Sequence, residues 1–229
     1  MSDLNKLITV NFQSRNFYFH RTPTAQLLVD EIFSDNYHVF RSHLQFTPGD
    51  IIVDLGANEG MFSIMMAKIF PETNIIAIEP VQRTFRQLID NISINKVPNI
   101  STYCVGVGKE KCYREIVISN EHSGGSSTLI DFKPTDHFKQ EIMVISLDEL
   151  FRQLDITENR KCKLLKIDIE GMEYEVLWNT TVLPLIDNLV GEFHINDRLT
   201  KEKCSIGLLV NHLKSKTNLI HYESCRMAD

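Results

Sequence analysis

Two acids and two glycines mark where chemistry can occur. In Ile51-Ile-Val-Asp-Leu-Gly-Ala-Asn-Glu-Gly60 a short apolar run ends at Asp54, and Gly56 and Gly60 permit a tight turn. The next apolar run, Ile75-Ile-Ala-Ile-Glu79, again ends in an acid. A carboxylate at the tip of a second strand can accept hydrogen bonds from both hydroxyls of a ribose, so the pattern points to an adenosine-containing cofactor. A dinucleotide site needs Gly-x-Gly-x-x-Gly for its pyrophosphate, whereas this turn is Gly-x-x-x-Gly, with Asp54 before it and Glu59 inside it. Those acids would repel a pyrophosphate and attract an ammonium or a sulfonium. S-adenosylmethionine is therefore the expected cofactor, ahead of a nicotinamide dinucleotide.

A second group of candidates falls at the ends of later apolar runs: Asp168, Glu170, Glu192 and His194. His194 is the expected general base, because a free imidazole titrates near pH 6.5, and Glu192, two residues away on the same strand face, or Asp168 would orient it. These oxygen and nitrogen groups could bind a divalent ion or hold substrate hydroxyls. The second use is favoured, and no metal is assigned. Ser126, Ser127 and Thr128 are expected to serve the substrate from a loop rich in small residues, Ser123-Gly-Gly-Ser-Ser127.

Periodicity supplies the elements that must position these groups. Residues 7–21 alternate as a β-hairpin around Gln13-Ser-Arg-Asn16, and 24–33 has helical spacing, so 1–36 is read as an extension packed on a domain spanning 37–229. The core is expected as strand 51–54, helix 60–70, strand 74–79, helix 81–95 and strand 100–105. An irregular stretch 106–140 follows, then strand 141–145, helix 147–154, strand 162–168, helix 171–178, strand 188–194, helix 200–215 and strand 218–223. Such alternation predicts an α/β, Rossmann-like, doubly wound and mostly parallel sheet.

Several blocks in this order resemble the FkbM-type methyltransferases, a branch of the class I S-adenosylmethionine-dependent enzymes. They are Val53-Asp-Leu-Gly-Ala-Asn-Glu-Gly60, Ala77-Ile-Glu-Pro80, Asn91 to Asn95, Ser126-Ser-Thr-Leu129, Ser146-Leu-Asp-Glu-Leu150, Leu165-Lys-Ile-Asp-Ile-Glu-Gly-Met-Glu173 and Gly191-Glu-Phe-His194. The resemblance implies a sheet whose last strand is reversed, and methyl transfer to oxygen, often of a sugar or polyketide hydroxyl. It implies that Asp54 and the Gly56 to Gly60 turn, with Glu59, face the methionine portion and that Glu79, next to Pro80, takes the ribose; strand-end acids that merely cap helices are the structural alternative. Asn58 either bonds the methionine end or holds the turn left-handed. Val105-Gly-Val-Gly108 offers no acid or amide for the adenine amine, so Gly106 and Val107 are expected to meet adenine through backbone atoms and apolar packing. Little chain follows residue 223, so the family's final strand is expected to be short, absent, or supplied by the N-terminal hairpin.

Composition sets limits. A net charge of −6 with no long basic run argues against a nucleic-acid surface, and Lys109, Lys111, Lys161, Lys163 and Lys166 read as solvated strand and loop ends. The five cysteines form no C-x-x-C pair, no signal-peptide pattern opens the chain and no long apolar run crosses a bilayer, so a reducing cytoplasmic setting is expected. Two other classes stay in view: a nicotinamide-dependent oxidoreductase and a catalytically silent protein that keeps the fold for binding.

Overall fold

Ile51, Ile52, Val53 and Leu55 are all but inaccessible to solvent, which is possible only for a strand flanked by two others and covered on both faces. A computed structural model describes residues 7–34, 44–119 and 137–227 and shows this strand, β3 (Ile51–Leu55), at the centre of a six-stranded sheet. Its neighbours are β4 (Asn74–Ile78) on one side and β9 (Cys162–Ile167) on the other; β5 (Ile100–Tyr103) follows β4, and β10 (Asn188–Ile195) and β11 (Asn218–Arg226) follow β9. All pairings in this sheet are parallel. The strand order reverses direction between β3 and β9, and in open α/β sheets ligands bind at such a switch point, beyond the carboxyl ends of the strands.

Among the described residues the family's reversed last strand is not found. β11 lies parallel to β10, with Glu192 opposite Glu223 and His194 opposite Cys225. Nor does the hairpin β1 (Leu7–Phe12) and β2 (Arg15–His20) complete the sheet, since it forms a two-stranded sheet of its own. It docks on α3 (Gln82–Asn95) instead, where Asn91 and Asn95, four residues apart on one helix face, accept the backbone N–H of His20 (2.9 Å) and of Tyr18 (3.0 Å). With α1 (Ala25–Ile32) the hairpin buries Phe17, Phe19, Val29 and Ile32 in one cluster with Ile52, Ile75, Leu164 and α2 (Met61–Ile69).

The stretch expected to be irregular carries a second sheet: β6 (Gly106–Gly108), β7 (Cys112–Ser119) and β8 (His137–Ser146), with β8 between the other two. The strand predicted at 141–145 therefore belongs to this sheet and not to the main one. Its inner face, Ile116, Ile118, Ile142 and Val144, packs on Val81. The remaining helices are α4 (Leu147–Gln153), whose Ser146 cap accepts the Glu149 N–H at 3.1 Å, then α5 (Glu173–Asn179), α6 (Asp197–Lys201) and α7 (Ile206–Lys214). The single helix expected over 200–215 is thus two, because Lys203 turns left-handed at φ 65° and Ser205 caps the second. Among the described residues no helix is long and apolar enough to cross a membrane.

Candidate active site

The chain leaves β3 through Gly56, whose φ of 79° is open to glycine and strained for other residues. Space also demands glycine here: a Cβ would sit 1.7 Å from the backbone oxygen of Asp168, so the tips of β3 and β9 touch at this point. The N–H groups of Gly56 and Ala57 both donate to the Ile78 carbonyl, at 3.0 and 2.9 Å, which ties the turn to the end of β4. Glu79 stands just beyond. Its Oε2 accepts the Asn58 N–H at 3.1 Å and its Oε1 the Val81 N–H at 2.9 Å, so the carboxylate is aimed before any ligand arrives. Burial pushes its pKa up to about 7, against the opposing effect of those two backbone donors.

These groups border a cavity of about 460 Å³ at the switch point. One end is apolar, formed by Val81, Val105, Val107, Ile116, Ile142 and Val144, with Gly106 and Pro80 beside them. The other end gathers Asp168, Glu170, Glu192 and His194 from the tips of β9 and β10. Asn58 also lines the cavity. Its φ is 50°, and its side-chain Oδ1 is buried with no hydrogen-bond partner among the described residues, an acceptor suited to an ammonium group. The left-handed turn role open for Asn58 from sequence is thus observed, and the unpartnered Oδ1 leaves the other role open to it. Asp54, Glu59 and Gly60 do not line the cavity. Asp54 is wholly buried behind the turn, where it accepts the Ser63 hydroxyl at 2.6 Å, and Glu59 accepts the hydroxyls of Thr22 (2.7 Å) and Thr24 (3.2 Å), fastening the N-terminal extension to the turn. Ser126 and Ser127 lie outside the described residues.

Three residues at the site escaped the sequence. Lys166, read there as solvated, is only 5 % exposed: its Nζ donates to the Gly56 carbonyl at 2.9 Å and sits 3.4 Å from both Asp54 Oδ1 and Asp168 Oδ2. A signal for it existed, since a lysine inside Leu164-Leu165-Lys166-Ile167, a run buried on both faces, has to find a carboxylate. Glu173 holds His194, its Oε1 lying 3.1 Å from Nδ1 while accepting the N–H of Ile169 (3.0 Å) and Gly171 (3.2 Å). The expected orienting groups, Glu192 and Asp168, do not make that contact; Glu192 Oε1 is 3.6 Å from the other nitrogen, Nε2. Glu31, on α1, reaches the cavity edge through tertiary packing alone.

The ring's surroundings also alter its expected chemistry. Burial would lower the pKa of His194, but the hydrogen bond and charge of Glu173, with Glu170 and Asp168 nearby, outweigh this and raise it to about 10. With no ligand at its Nε2, the imidazole is therefore protonated at neutral pH and is not the ready base expected from sequence. Burial and the Asp168 charge push Glu170 up to about 8, and raise Glu192 as well.

A parallel sheet, a glycine turn against its switch point, a preset strand-end acid and a cavity rimmed by further carboxyl groups are the features of S-adenosylmethionine-dependent methyltransferases with a Rossmann-like fold. Residues 54–200 match the methyltransferase FkbM domain, and the chain belongs to that family. Methyltransferase 1 of Beauveria bassiana (strain ARSEF 2860) is 28% identical, over 77% of this chain and 78% of its own. The 31-O-demethyl-FK506 methyltransferase FkbM of Streptomyces tacrolimicus is 26% identical, over 74% of this chain and 75% of its own. Solved structures are more distant. The precorrin-6y C5,15-methyltransferase of Geobacter metallireducens GS-15 matches 76% of this chain and 68% of its own at 17% identity and a TM-score of 0.41; M. jannaschii TYW2 in complex with AdoMet matches 42% of each chain at 20% identity and a TM-score of 0.31.

The cofactor is S-adenosylmethionine, and the residues present fit it. Glu79 offers a carboxylate for a ribose, Asn58 Oδ1 an unused acceptor, and the valine and isoleucine walls an apolar slot. A prediction follows from the raised Glu79 pKa. A carboxyl whose folded pKa lies above its ordinary 4.5 leaves the cofactor-free protein more stable below that pH, and this stability is lost as pH rises through about 7. Ribose hydroxyls favour the ionised form, so affinity for methylthioadenosine, which has the ribose but no amine, should rise by about tenfold from one pH unit below 7 to one above. Calorimetry should show Glu79→Gln binding about tenfold more weakly at high pH, with a flat profile. An equally steep profile in that variant would detach the ribose from Glu79.

Proposed function

We propose that the protein methylates a hydroxyl oxygen on a sugar, glycan or similarly polar small acceptor. The observation that carries this is the convergence of Asp168, Glu170, Glu192 and His194 at the cavity end away from the apolar slot. An apolar acceptor would strand these groups, and each buried polar group left unpaired costs about 1–3 kcal/mol, so hydroxyl-rich partners are favoured. The name of the S. tacrolimicus relative, which places its methylation on an oxygen of FK506, supports an oxygen acceptor here as well.

In this reading S-adenosylmethionine supplies the methyl group. Glu79 holds the ribose, Asn58 receives the ammonium, and Gly106, Val107 and Val81 enclose the adenine. The second sheet closes one wall of the cavity, anchored where Arg114 of β7 grips Glu175 of α5 at 2.5 and 3.0 Å. Shutting out water while both reactants are held for in-line attack can supply on the order of 7–11 kcal/mol of the barrier. The acceptor hydroxyl must also shed its proton, and Asp168 is the acceptor at hand, with the charged His194 ring held nearby. A soluble cytoplasmic setting is part of the proposal, supported by five unpaired cysteines.

Incubation with S-adenosylmethionine and a panel of nucleotide sugars, oligosaccharides, catechols, peptides and small RNAs, each read for the added mass of one CH₂, tests the acceptor. Turnover on a sugar is expected. Turnover on a catechol, peptide or RNA with none on any sugar would overturn the carbohydrate assignment and leave the methyltransferase itself standing.

A further inference from the structure

His194 is 4 % exposed, and one of its nitrogens is fully occupied: Nδ1 meets Glu173, a carboxylate with no exposure of its own that is fixed by two backbone donors. The other nitrogen, Nε2, makes no hydrogen bond among the described residues. It points into the cavity's polar end, 3.6 Å from Glu192 Oε1 and 3.7 Å from Glu170 Oε2, too far for either contact to satisfy it. One atom each from Asp168, Glu170 and His194 lie within 4.8 Å of one another, the spread of ligands around a single ion.

We propose that Asp168, Glu170 and His194 Nε2 hold a divalent cation of the Mg²⁺/Mn²⁺ type, with Glu192 at its edge, and that this ion takes the acceptor hydroxyl as a further ligand. The sequence leaves a divalent ion open for these groups and favours substrate hydroxyls instead; the free ring nitrogen among the carboxylates is what turns the reading to an ion. A ligating histidine characteristically gives its second ring N–H to a carboxylate, which fixes the tautomer and turns the free nitrogen to the metal; Glu173 is placed for that task. Carboxylate oxygens with one imidazole suit Mg²⁺ and Mn²⁺, whereas thiolate-rich sets select zinc. Cys225 forms the competing group with Glu192 and His194, and it contributes one sulfur against several oxygens. Hydroxyls bound to a dication lose their protons more readily. The acceptor proton then passes to a rim carboxylate, the oxygen takes the methyl group, and the sulfonium leaves as a neutral thioether. This role rests on the O-methylation reading, but the ion site itself does not.

The test uses the full chain, stripped with EDTA, desalted and titrated with Mn²⁺, followed by electron paramagnetic resonance and calorimetry. One Mn²⁺ per chain is expected, bound about tenfold or more weakly by Asp168→Asn and by Glu170→Gln and unchanged in Cys225→Ser. Thermal melts of each variant confirm folding, and methylthioadenosine affinity, measured on the same samples, reports the cofactor site separately. Three outcomes would each overturn the ion site: no saturable Mn²⁺ binding by wild type, binding indifferent to Asp168→Asn and Glu170→Gln, or binding lost in Cys225→Ser. Intact cofactor binding in any of these cases leaves the methyltransferase reading untouched.

Discussion

Replacing Lys166 with methionine should destabilise the protein by about 3–5 kcal/mol, the range seen when one partner of a buried ion pair is removed. Methionine preserves most of the length and apolar contact of the lysine stem, so the effect isolates the charge. Asp54 has no exposure to solvent, and its partners are the Ser63 hydroxyl and Lys166. Without the lysine, a fully buried carboxylate keeps a single hydroxyl donor, while the Gly56 carbonyl loses its donor at the crossing of β3 and β9. Burial already holds the Asp54 pKa above its ordinary value, with Lys166 as the main opposing influence. Loss of Lys166 raises it further. A folded pKa above the unfolded one means stability present at low pH and lost as pH rises, so the deficit of Lys166→Met should shrink toward acid. Urea unfolding at several pH values would show this, and Asp54→Asn combined with Lys166→Met should recover a large part of the loss. A deficit below about 1 kcal/mol, or one that the double variant does not relieve, would mean that Lys166 does not compensate Asp54.

What the sequence revealed, and what it concealed, follows from how each signal arises. β3, β4 and β9 are legible because strands covered on both faces must be continuous apolar runs, and the glycine turn is legible because Gly56 is required by its φ and by the Asp168 carbonyl together. β7 was harder. Its inward Ile116 and Ile118 alternate with outward groups, but the charged Arg114 takes an inward place, and the strand it pairs with begins only at His137. The direction of β11 depends on which neighbour it finds, a tertiary matter with no local code. Similarly, sequence placed Asp54, Glu79, Asp168, Glu192 and His194 at strand ends correctly, yet a strand end has two sides. Asp54 falls behind the turn, against Ser63 and Lys166, while Glu79 falls in front of it. The charge of His194 could not be foreseen either, because it is set by Glu173, Glu170 and Asp168 converging from residues that precede it by two strands' length of chain.

For the same reason His194→Gln should be the most damaging single change to turnover. The ring is buried, clamped through Nδ1 by Glu173, and presents Nε2 to Glu170 and Glu192. It is the positive centre, or the neutral ligand of one, around which three carboxylates are gathered at the acceptor end. Glutamine fills similar space, but it carries no charge and cannot reproduce both nitrogens of the ring. The acids would then repel one another, and the acceptor would lose its fixed position relative to the sulfonium. A displacement near 1 Å is enough to cost about 10²-fold, so kcat should fall by about 10² or more. The cofactor contacts proposed for Glu79 and Asn58 do not involve His194, so affinity for S-adenosylmethionine should stay within about twofold and the loss should appear in kcat. Glu173→Gln should lower kcat less, because the amide oxygen can still accept the Ile169 and Gly171 N–H groups while its grip on Nδ1 weakens. Single-turnover rates on an acceptor that the panel identifies, with cofactor affinity measured in parallel, separate these effects. A His194→Gln protein that keeps more than roughly a third of the wild-type kcat would return the ring to a packing role, and the polar end of the cavity would have to work through Asp168 and Glu170 alone.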